Sequence, residues 1–297
     1  MRTLRLGTTK VDRIEEQELP VSLAALIQDE ELIARRVKSL PTGFLDPIAG
    51  TFQFSNHSWV LRLDGLTVLV DPCTGNGRKG RGPYFDDLDT PYLDRLAEVG
   101  TPAETIDVVF CTHLHHDHCG WNTVQADGRW VPTFPNAVYL FGEEEYRRWD
   151  ISNPNRHPNT FNPDVFDECV RPVVEAGQAQ IISVPHEISP SLMIETAPGH
   201  TVGHSTLRLI SDGIYAYFTG DAFHHPIQVT RPEAHLPGCD DLETAITTRK
   251  VLVQRILDKN AFIFPAHFPA PHYGRLTIDD DEVAFIPGGA PEANSRH

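Results

Sequence analysis

The densest cluster of metal-binding side chains in the sequence is the run His113-Leu114-His115-His116-Asp117-His118. It follows the apolar segment Ile106–Cys111, which predicts a buried strand ending where the run begins. Side chains two residues apart in an extended segment share a face, so His113 and His115 can hold one metal ion together. The aspartate and histidine that end the run can serve a second ion if the chain turns into a helix there.

A solvated, histidine-rich loop without any metal is the alternative interpretation. Four ligand-type side chains within six residues, directly after an apolar strand, disfavour it. The run therefore predicts two adjacent metal centres, with imidazoles on one and a carboxylate plus an imidazole on the other. These ligands suit divalent zinc best among the candidates, with manganese, cobalt or iron as alternatives.

A glycine-rich segment, Gly75–Gly80, has the GxGxxG spacing of a dinucleotide-binding turn and follows a predicted strand. The next residues, Arg81-Gly82-Pro83-Tyr84-Phe85, do not open a helix, so no helix N-terminus is available to hold a pyrophosphate. We interpret the segment as a loop and predict no nucleotide site.

Composition narrows the choice of partner and compartment. The net charge of −16 disfavours both nucleic acid and an anionic membrane surface as partners. No segment is apolar enough for a membrane span, and the first residues do not resemble a signal peptide. The five cysteines are scattered without a CxxC pair, as expected for free thiols in a reducing cytoplasm. We expect a cytoplasmic protein that acts on a small molecule.

The hydrophobic pattern predicts a β-rich chain from Phe52 onward. Trp59–Leu63 and Leu66–Val70 flank Asp64-Gly65, the pattern of a hairpin. Further strands are predicted at Ala137–Phe141, Ile181–Val184, Leu192–Thr196, Ser205–Leu209, Tyr215–Thr219 and Ala261–Pro265. Helices are predicted at Glu143–Trp149 and from Asp240 to about Leu257, the latter with Glu243 in the position of a capping box.

No linker or internal repeat divides the chain. Val21–Val37 has a rough helical spacing, and we interpret residues 1–50 as an extension packed on the domain. A flap over the site or a homodimer contact are the alternatives for this segment. Residues 51–286 are predicted to form the catalytic domain, and residues 287–297 a disordered tail.

The run at residues 113–118 resembles the HxHxDH signature of the metallo-β-lactamase superfamily. Three later segments resemble further motifs of that family in the same order: Thr196–Ser205, Thr219–Asp221 and Phe264–His267. The resemblance extends over most of the chain. It implies an α+β fold, the four-layer αββα sandwich in which helices flank two mixed β-sheets.

The resemblance also implies a ligand set for two ions. One ion would be held by His113, His115 and His200. The other would be held by Asp117, His118 and His267. Asp221 would bridge the two ions.

Several further residues receive a role from the resemblance or from their place beside the motifs. Asp71 would support the site from outside the ligand set or simply cap a loop, and His204 would orient a ligand by a hydrogen bond. His224 lies where acyl-homoserine lactonases carry a tyrosine near the substrate carbonyl, and we predict that it donates to a developing oxyanion, with His225 as the competing candidate. Four residues are predicted to line the substrate pocket, with core packing as the alternative: His57, Trp121, Phe223 and Phe268.

The expected reaction follows from the two ions. Ions about 3.5–4 Å apart can share one water and lower its pKa, and the bridging hydroxide would attack an acyl carbon while Asp117 accepts and passes on the proton. The segment His113–Asn122 resembles the lactonase and methyl-parathion-hydrolase-like branches, which implies a lactone or carboxylic ester as the substrate. A phosphotriester is the alternative substrate, and an iron-dependent oxidoreductase is the less favoured alternative reaction.

Overall fold

The computed structural model describes residues 3–27, 31, 33, 40–154, 164–234 and 238–289. Within the predicted helix Val21–Val37, Val21 and Ser22 end a strand and Leu23–Leu26 form a short helix. Residues 28–30, 32 and 34–37 lie outside the described residues, as does most of the predicted tail. The strands are β1 (Thr3–Leu6), β2 (Thr9–Ser22), β3 (Thr51–Leu63), β4 (Leu66–Val70), β5 (Val108–Phe110), β6 (Thr123–Ala126), β7 (Arg129–Pro132), β8 (Val138–Gly142), β9 (Ala179–Ile182), β10 (His186–Ser189), β11 (Leu192–Thr196), β12 (Ser205–Ser211), β13 (Ile214–Gly220), β14 (Phe262–Pro265), β15 (Gly274–Asp279) and β16 (Glu282–Pro287).

The described helices are mostly short. They are α1 (Leu23–Leu26), α2 (Tyr92–Glu98), α3 (His116–Cys119), α4 (Glu143–Trp149), α5 (Arg171–Glu175), α6 (Ile227–Thr230) and α7 (Leu242–Asp258). In the parts of the chain that the structure describes, no helix is long and apolar enough to cross a membrane. The predicted start of α7 was one residue early, because the side chain of Asp241 caps the helix by accepting from the Thr244 N–H at 3.0 Å.

Two seven-stranded sheets form the centre of the fold. The first has the order β1-β2-β3-β4-β5-β8-β9, and the second runs from β10 to β16 in chain order. A hydrophobic cluster between them joins Val68 and Phe110 of the first sheet to Leu207 and Phe218 of the second. The outer face of the first sheet packs on α2 and α5, and that of the second packs on α7. These four layers are the predicted αββα sandwich.

The predicted hairpin around Asp64-Gly65 is confirmed, since β3 and β4 pair antiparallel up to Leu63 and Leu66. Beyond β4 the pairing becomes parallel, from β4 to β5, β8 and β9. In the second sheet β13 and β14 are also parallel. Parallel neighbours bring their carboxyl ends to the same edge of a sheet, where binding residues commonly gather.

Residues 3–22 contain β1 and β2, two strands of the first sheet that the prediction of an N-terminal extension packed on the domain did not include. The fourteen-residue β2 pairs with β3 from Lys10–Arg62 to Ser22–Thr51. The hydrophobic pattern of β2 is weak because polar side chains, including Asp12 and Glu16, occupy buried positions in it. A period-two pattern of apolar residues therefore does not appear in the sequence.

His225 connects the segment before β3 to the loop after β13. Its Nε2 lies 2.9 Å from the Phe44 carbonyl oxygen, and its Nδ1 lies 3.2 Å from the Ile227 amide nitrogen. A carbonyl accepts and an amide donates, so the proton of this imidazole resides on Nε2. Burial lowers the pKa of His225 to about 4, which keeps the imidazole neutral at physiological pH.

The neutral state of His225 predicts that acid destabilises the fold. Its pKa falls from 6.5 to about 4 on folding, so the stabilisation is complete above pH 6.5 and is lost as the pH falls toward 4. The loss is at most about 3 kcal/mol. We expect the metal-free His225→Leu variant to have a lower free energy of unfolding in urea than the metal-free natural chain at pH 7.5. Its free energy of unfolding should also change less between pH 7.5 and 4.5. An unchanged pH dependence would contradict this assignment.

Candidate metal centre

The predicted site residues follow strands that end at one edge of the sandwich. Asp71 follows β4, and the histidine run follows β5 and enters the short helix α3. In the second sheet Asp221 follows β13 and His267 follows β14. The parallel pairing of these strands explains why residues far apart in sequence meet here.

Three imidazoles converge on one carboxylate oxygen of Asp221. His200 Nε2 lies 3.2 Å and His113 Nε2 lies 3.7 Å from Asp221 Oδ2. His115 Nδ1 lies 2.9 Å from His113 Nε2 and 3.0 Å from His200 Nε2. All four ligand-type atoms lie within 4.8 Å of one another, a spacing that one metal ion can occupy.

The second group of predicted ligands gathers on the other oxygen of the same carboxylate. His118 Nε2 lies 3.1 Å and His267 Nε2 lies 3.0 Å from Asp221 Oδ1. Asp117 Oδ2 lies 3.8 Å from His118 Nε2 and 3.6 Å from His267 Nε2. The structure thus brings all seven predicted ligands together, with Asp221 between the two groups.

The imidazoles of the cluster differ in their protonation. His267 Nδ1 donates to the Ser55 carbonyl oxygen at 2.9 Å, which leaves a lone pair on the Nε2 that faces the cluster. Burial lowers the pKa of His113 and His115 well below the ordinary value, so both rings are neutral. Asp221 Oδ1 is buried and has no hydrogen-bond partner among the described residues. Burial alone would lower the pKa of His118 and His200, but the Asp221 carboxylate raises the pKa of His118 well above its ordinary value and that of His200 to about 9. A divalent ion such as zinc would displace these protons when it binds.

Asp71 contacts both the loop before the histidine run and a predicted ligand, so its position is compatible with both roles that the sequence left open. Its Oδ1 accepts from the Thr112 amide at 2.7 Å, and its Oδ2 accepts from the Thr112 hydroxyl at 2.9 Å. The same Oδ2 lies 3.1 Å from His118 Nδ1. Asp71 therefore caps the loop that begins the histidine run and also lies beside the outer nitrogen of a predicted ligand. Its support of the metal site stays a prediction.

His204 holds the backbone of Asp221, in the orienting position that was predicted. Its Nε2 accepts from the Asp221 amide at 3.1 Å, and its Nδ1 therefore donates to the Ala197 carbonyl oxygen at 3.1 Å. Burial lowers the pKa of His204 to about 3, so the ring stays neutral in this arrangement.

The structure places His224, and not His225, at the cluster. His224 Nε2 lies 3.1 Å from Asp221 Oδ2, and its ring stacks on the His267 ring with centroids 5.8 Å apart. Burial lowers its pKa to about 4, and its Nδ1 has no hydrogen-bond partner within the described ranges. His225 points the other way, toward the Phe44 carbonyl.

Three aromatic residues that were predicted to line the pocket lie in the core instead. Phe223 and Phe268 are fully buried in the cluster under α7. Trp121 stacks on Tyr92 at 5.1 Å and donates from Nε1 to Glu16 at 2.7 Å. Their apolar side chains are explained by packing, which sequence adjacency to a motif does not reveal.

His57 lies behind the cluster. The side chain is 2% exposed, its Nδ1 lies 2.8 Å from the Ser55 hydroxyl, and its ring contacts Trp59 edge-on at 4.8 Å. Its substrate-pocket role stays a prediction.

Phe54, which sequence reasoning missed, is half-buried and stacks on the His267 ring with centroids 4.0 Å apart. Only the pairing of β3 beside His267 identifies Phe54 as an aromatic residue of the site.

Glu16 is a second residue that the sequence did not reveal. Its carboxylate is buried and accepts from the amides of Thr74 and Gly75, each at 2.9 Å. The side chains of Asn56 and Trp121 donate to it at 2.8 and 2.7 Å. These four bonds join β2 and β3 to the loops on both sides of the histidine run, and nothing in the local sequence marks this glutamate as buried.

The seven clustered residues all fall within the region that matches a known family. The model of the metallo-beta-lactamase superfamily matches residues 52–267, well over half of the chain. The chain therefore belongs to the metallo-beta-lactamase superfamily.

Individual relatives are distant. An N-acyl homoserine lactonase from a Bacillus species is 24% identical over 179 residues, which is 58% of this chain and 60% of that protein. Integrator complex subunit 11 from Gallus gallus is 22% identical over 188 residues, which is 61% of this chain. The chain spans 30% of the length of the Integrator protein, so activities of either relative carry over only as proposals.

Solved structures share the fold over almost the whole chain. AidC, a dizinc quorum-quenching lactonase in complex with a product, superposes with a TM-score of 0.75 at 20% identity and 98% coverage of both chains. The hydrolase AbOPH of the same superfamily gives a TM-score of 0.77 at 21% identity, again with 98% coverage of both. At this identity the likeness establishes the common architecture.

We expect the Asp71→Asn variant to bind the ion next to His118 about 10–100-fold more weakly. An amide nitrogen facing His118 would require Nδ1 to accept, which moves the proton to Nε2, the nitrogen that faces Asp221. In the opposite orientation, the amide nitrogen of the new side chain would face the Thr112 N–H, which places two donors against each other. Metal content after dialysis against graded chelator measures the effect.

Asp64→Asn, in the turn before β4, is the matched control for this measurement because its carboxylate bonds Ser189 away from the site. The control should retain metal like the natural chain. Equal retention by Asp71→Asn would contradict the role assigned to Asp71.

Proposed function

We propose that this protein is a metal-dependent hydrolase of small lactones or carboxylic esters, with two divalent ions at the cluster. The observation that carries the proposal is that the two carboxylate oxygens of Asp221 face two separate groups of ligand-type side chains. His113, His115 and His200 would hold one ion. Asp117, His118 and His267 would hold the other, and Asp221 would bridge them.

Two divalent ions at such a site supply a polarised substrate oxygen and a water of lowered pKa. The chain's own contribution is positional. Asp71 and His204 orient His118 and Asp221, and the backbone of Ser55 orients His267. Side chains held in place before the substrate arrives need no reorganisation during the reaction.

Asp117 is the proposed proton acceptor. Its side chain is 12% exposed, so a proton can pass from it to solvent. Burial would raise its pKa, but the neighbouring imidazoles, His118 foremost, lower the pKa to about 2. The carboxyl group is therefore ionised at neutral pH, and Oδ1, the oxygen that does not face His118 and His267, can accept a proton.

His224 is the proposed donor to the oxygen of the attacked carbonyl. Its imidazole is neutral, and the nitrogen that faces the cluster is Nε2. With Asp221 Oδ2 as its neighbour, Nε2 carries the proton. It would donate this proton to an oxygen that becomes negative beside it in exchange for the bond to Asp221.

A small-molecule substrate is favoured over nucleic acid by the net charge of −16. The half-buried Phe54 ring beside His267 adds apolar surface for an organic substrate. Lactones and carboxylic esters are favoured among small molecules by the similarity to N-acyl homoserine lactonases in sequence and to AidC in fold.

We also propose that the protein works in the cytoplasm, since its cysteines are unpaired thiols.

The first test is metal content by mass spectrometry on protein prepared without chelator, followed by assays with lactones, aryl esters and phosphotriesters. We expect two equivalents of a divalent metal and turnover of lactones or esters. Removal of the metal should abolish turnover, and adding zinc should restore it. One equivalent of iron without hydrolysis, or hydrolysis of phosphotriesters alone, would contradict the proposal.

The second test is the His224→Phe variant. We expect kcat to fall about 10²-fold, with unchanged metal content, because the donor to the developing oxyanion is lost. His225→Leu is the control, because His225 bonds Phe44 away from the cluster and its loss should lower stability without lowering kcat. An unchanged kcat in His224→Phe across lactones and esters would remove His224 from the mechanism.

A further inference from the structure

We infer that Glu145 is a positioning residue that builds one half of the metal centre, the half formed by His113, His115 and His200. The inference rests on the two-metal centre proposed above. Glu145 lies in α4, at the carboxyl end of β8, and its side chain is buried.

The Glu145 carboxylate accepts three hydrogen bonds. Oε1 accepts from the Leu114 amide at 2.8 Å and from Trp149 Nε1 at 2.6 Å. Oε2 accepts from the Thr201 hydroxyl at 2.6 Å. Leu114 separates two of the predicted ligands, His113 and His115, and Thr201 directly follows the third. One carboxylate thus holds both loops that supply this half of the centre.

Other residues of α4 reinforce the same contacts. Trp149 places its ring edge-on to the His115 ring, with centroids 5.5 Å apart. Arg148 pairs with Asp240 through two contacts of 2.8 Å, and the Asp240 amide donates to the carbonyl oxygen of His200 at 3.0 Å.

The loop after His200 approaches α4 closely at Gly203. A methyl group at this glycine would lie 2.1 Å from the Glu145 amide nitrogen. Such a contact is too short for any other residue type, so glycine alone allows the loop to lie directly against α4. The Thr201 bond to the Glu145 carboxylate and this backbone approach both hold the His200 loop against α4.

The other half of the centre has different supports. Asp71 lies against His118, and the Ser55 carbonyl accepts from His267. These groups belong to the first-sheet strands β3 and β4 or their ends, not to α4. Loss of the Glu145 carboxylate should therefore weaken the ion at His113, His115 and His200 selectively.

The test uses Glu145→Ala, with Glu144→Ala as a matched control in the same helix, because the Glu144 side chain is 70% exposed and pairs only with Arg147 in the described contacts. Zinc-loaded proteins are titrated with a chelator, and metal content and metal-free unfolding temperature are measured. Glu145→Ala should lose one equivalent at a chelator concentration at least about 10-fold lower than the natural chain requires. Its second equivalent and the control should behave like the natural chain.

Glu145→Gln tests whether the bonding pattern is responsible. Its oxygen can accept from Leu114 and Trp149 while its amide donates to Thr201, whose hydroxyl can turn to accept. We expect this variant to hold both equivalents within about threefold of the natural chain.

If Glu145→Ala does not fold, Thr201→Val removes one of the three bonds and should weaken the same equivalent. The cobalt absorption spectrum, compared with that of a His200→Ala reference, identifies which equivalent is weakened.

The outcomes separate the two proposals. If the natural chain binds fewer than two equivalents, the two-metal centre itself is wrong. If it binds two and Glu145→Ala retains both, or loses both together, the selective role of Glu145 is overturned. Loss of both equivalents in Glu145→Gln would also overturn it.

Discussion

The site depends on one buried carboxylate, Asp221, that must present its two oxygens to two groups of imidazoles. The backbone that delivers it is tightly constrained. Gly220, just before it, has a positive φ of 48°, and a methyl group there would lie 2.4 Å from the Thr112 hydroxyl. Only glycine fits between β13 and the start of the histidine run. The His204 ring then holds the Asp221 amide from the other side.

Around this carboxylate the fold buries three more acidic side chains, each surrounded by donors. Asp71, Glu16 and Glu145 accept hydrogen bonds from amides, hydroxyls and indoles of the loops that carry the ligands. A buried carboxylate without partners would be strongly unfavourable, so each of these groups fixes the conformation of its donors. The loops are irregular in backbone geometry, and the carboxylates provide the order that strands and helices provide elsewhere.

Some aromatic residues near the site lie in the core and others lie beside the predicted ligands. Contacts between segments far apart in the chain decide which. Phe223 and Phe268 follow motif residues in sequence, but their side chains turn into the cluster under α7. Phe54 is remote from every motif, yet the hydrogen bonds between its neighbour Ser55 and His267 set its ring against the His267 ring. Neighbours in sequence share a backbone but often point to opposite sides, so adjacency to a ligand is a poor guide to the lining of a pocket.

The sequence by itself determined the class of fold, the main strands from β3 onward and the seven residues that cluster at the site, because the motifs carry their chemistry in residue type and spacing. The histidine run, the hairpin at Asp64-Gly65 and the helix α4 are local features, and local features can be recognised without a partner. Only the tertiary structure decided that β1 and β2 belong to the sheet and that His224, not His225, faces the cluster. It also decided which glutamates are buried. Each of these depends on contacts between segments far apart in the chain, such as His225 with Phe44 or Glu16 with Trp121, and no local pattern encodes such a contact.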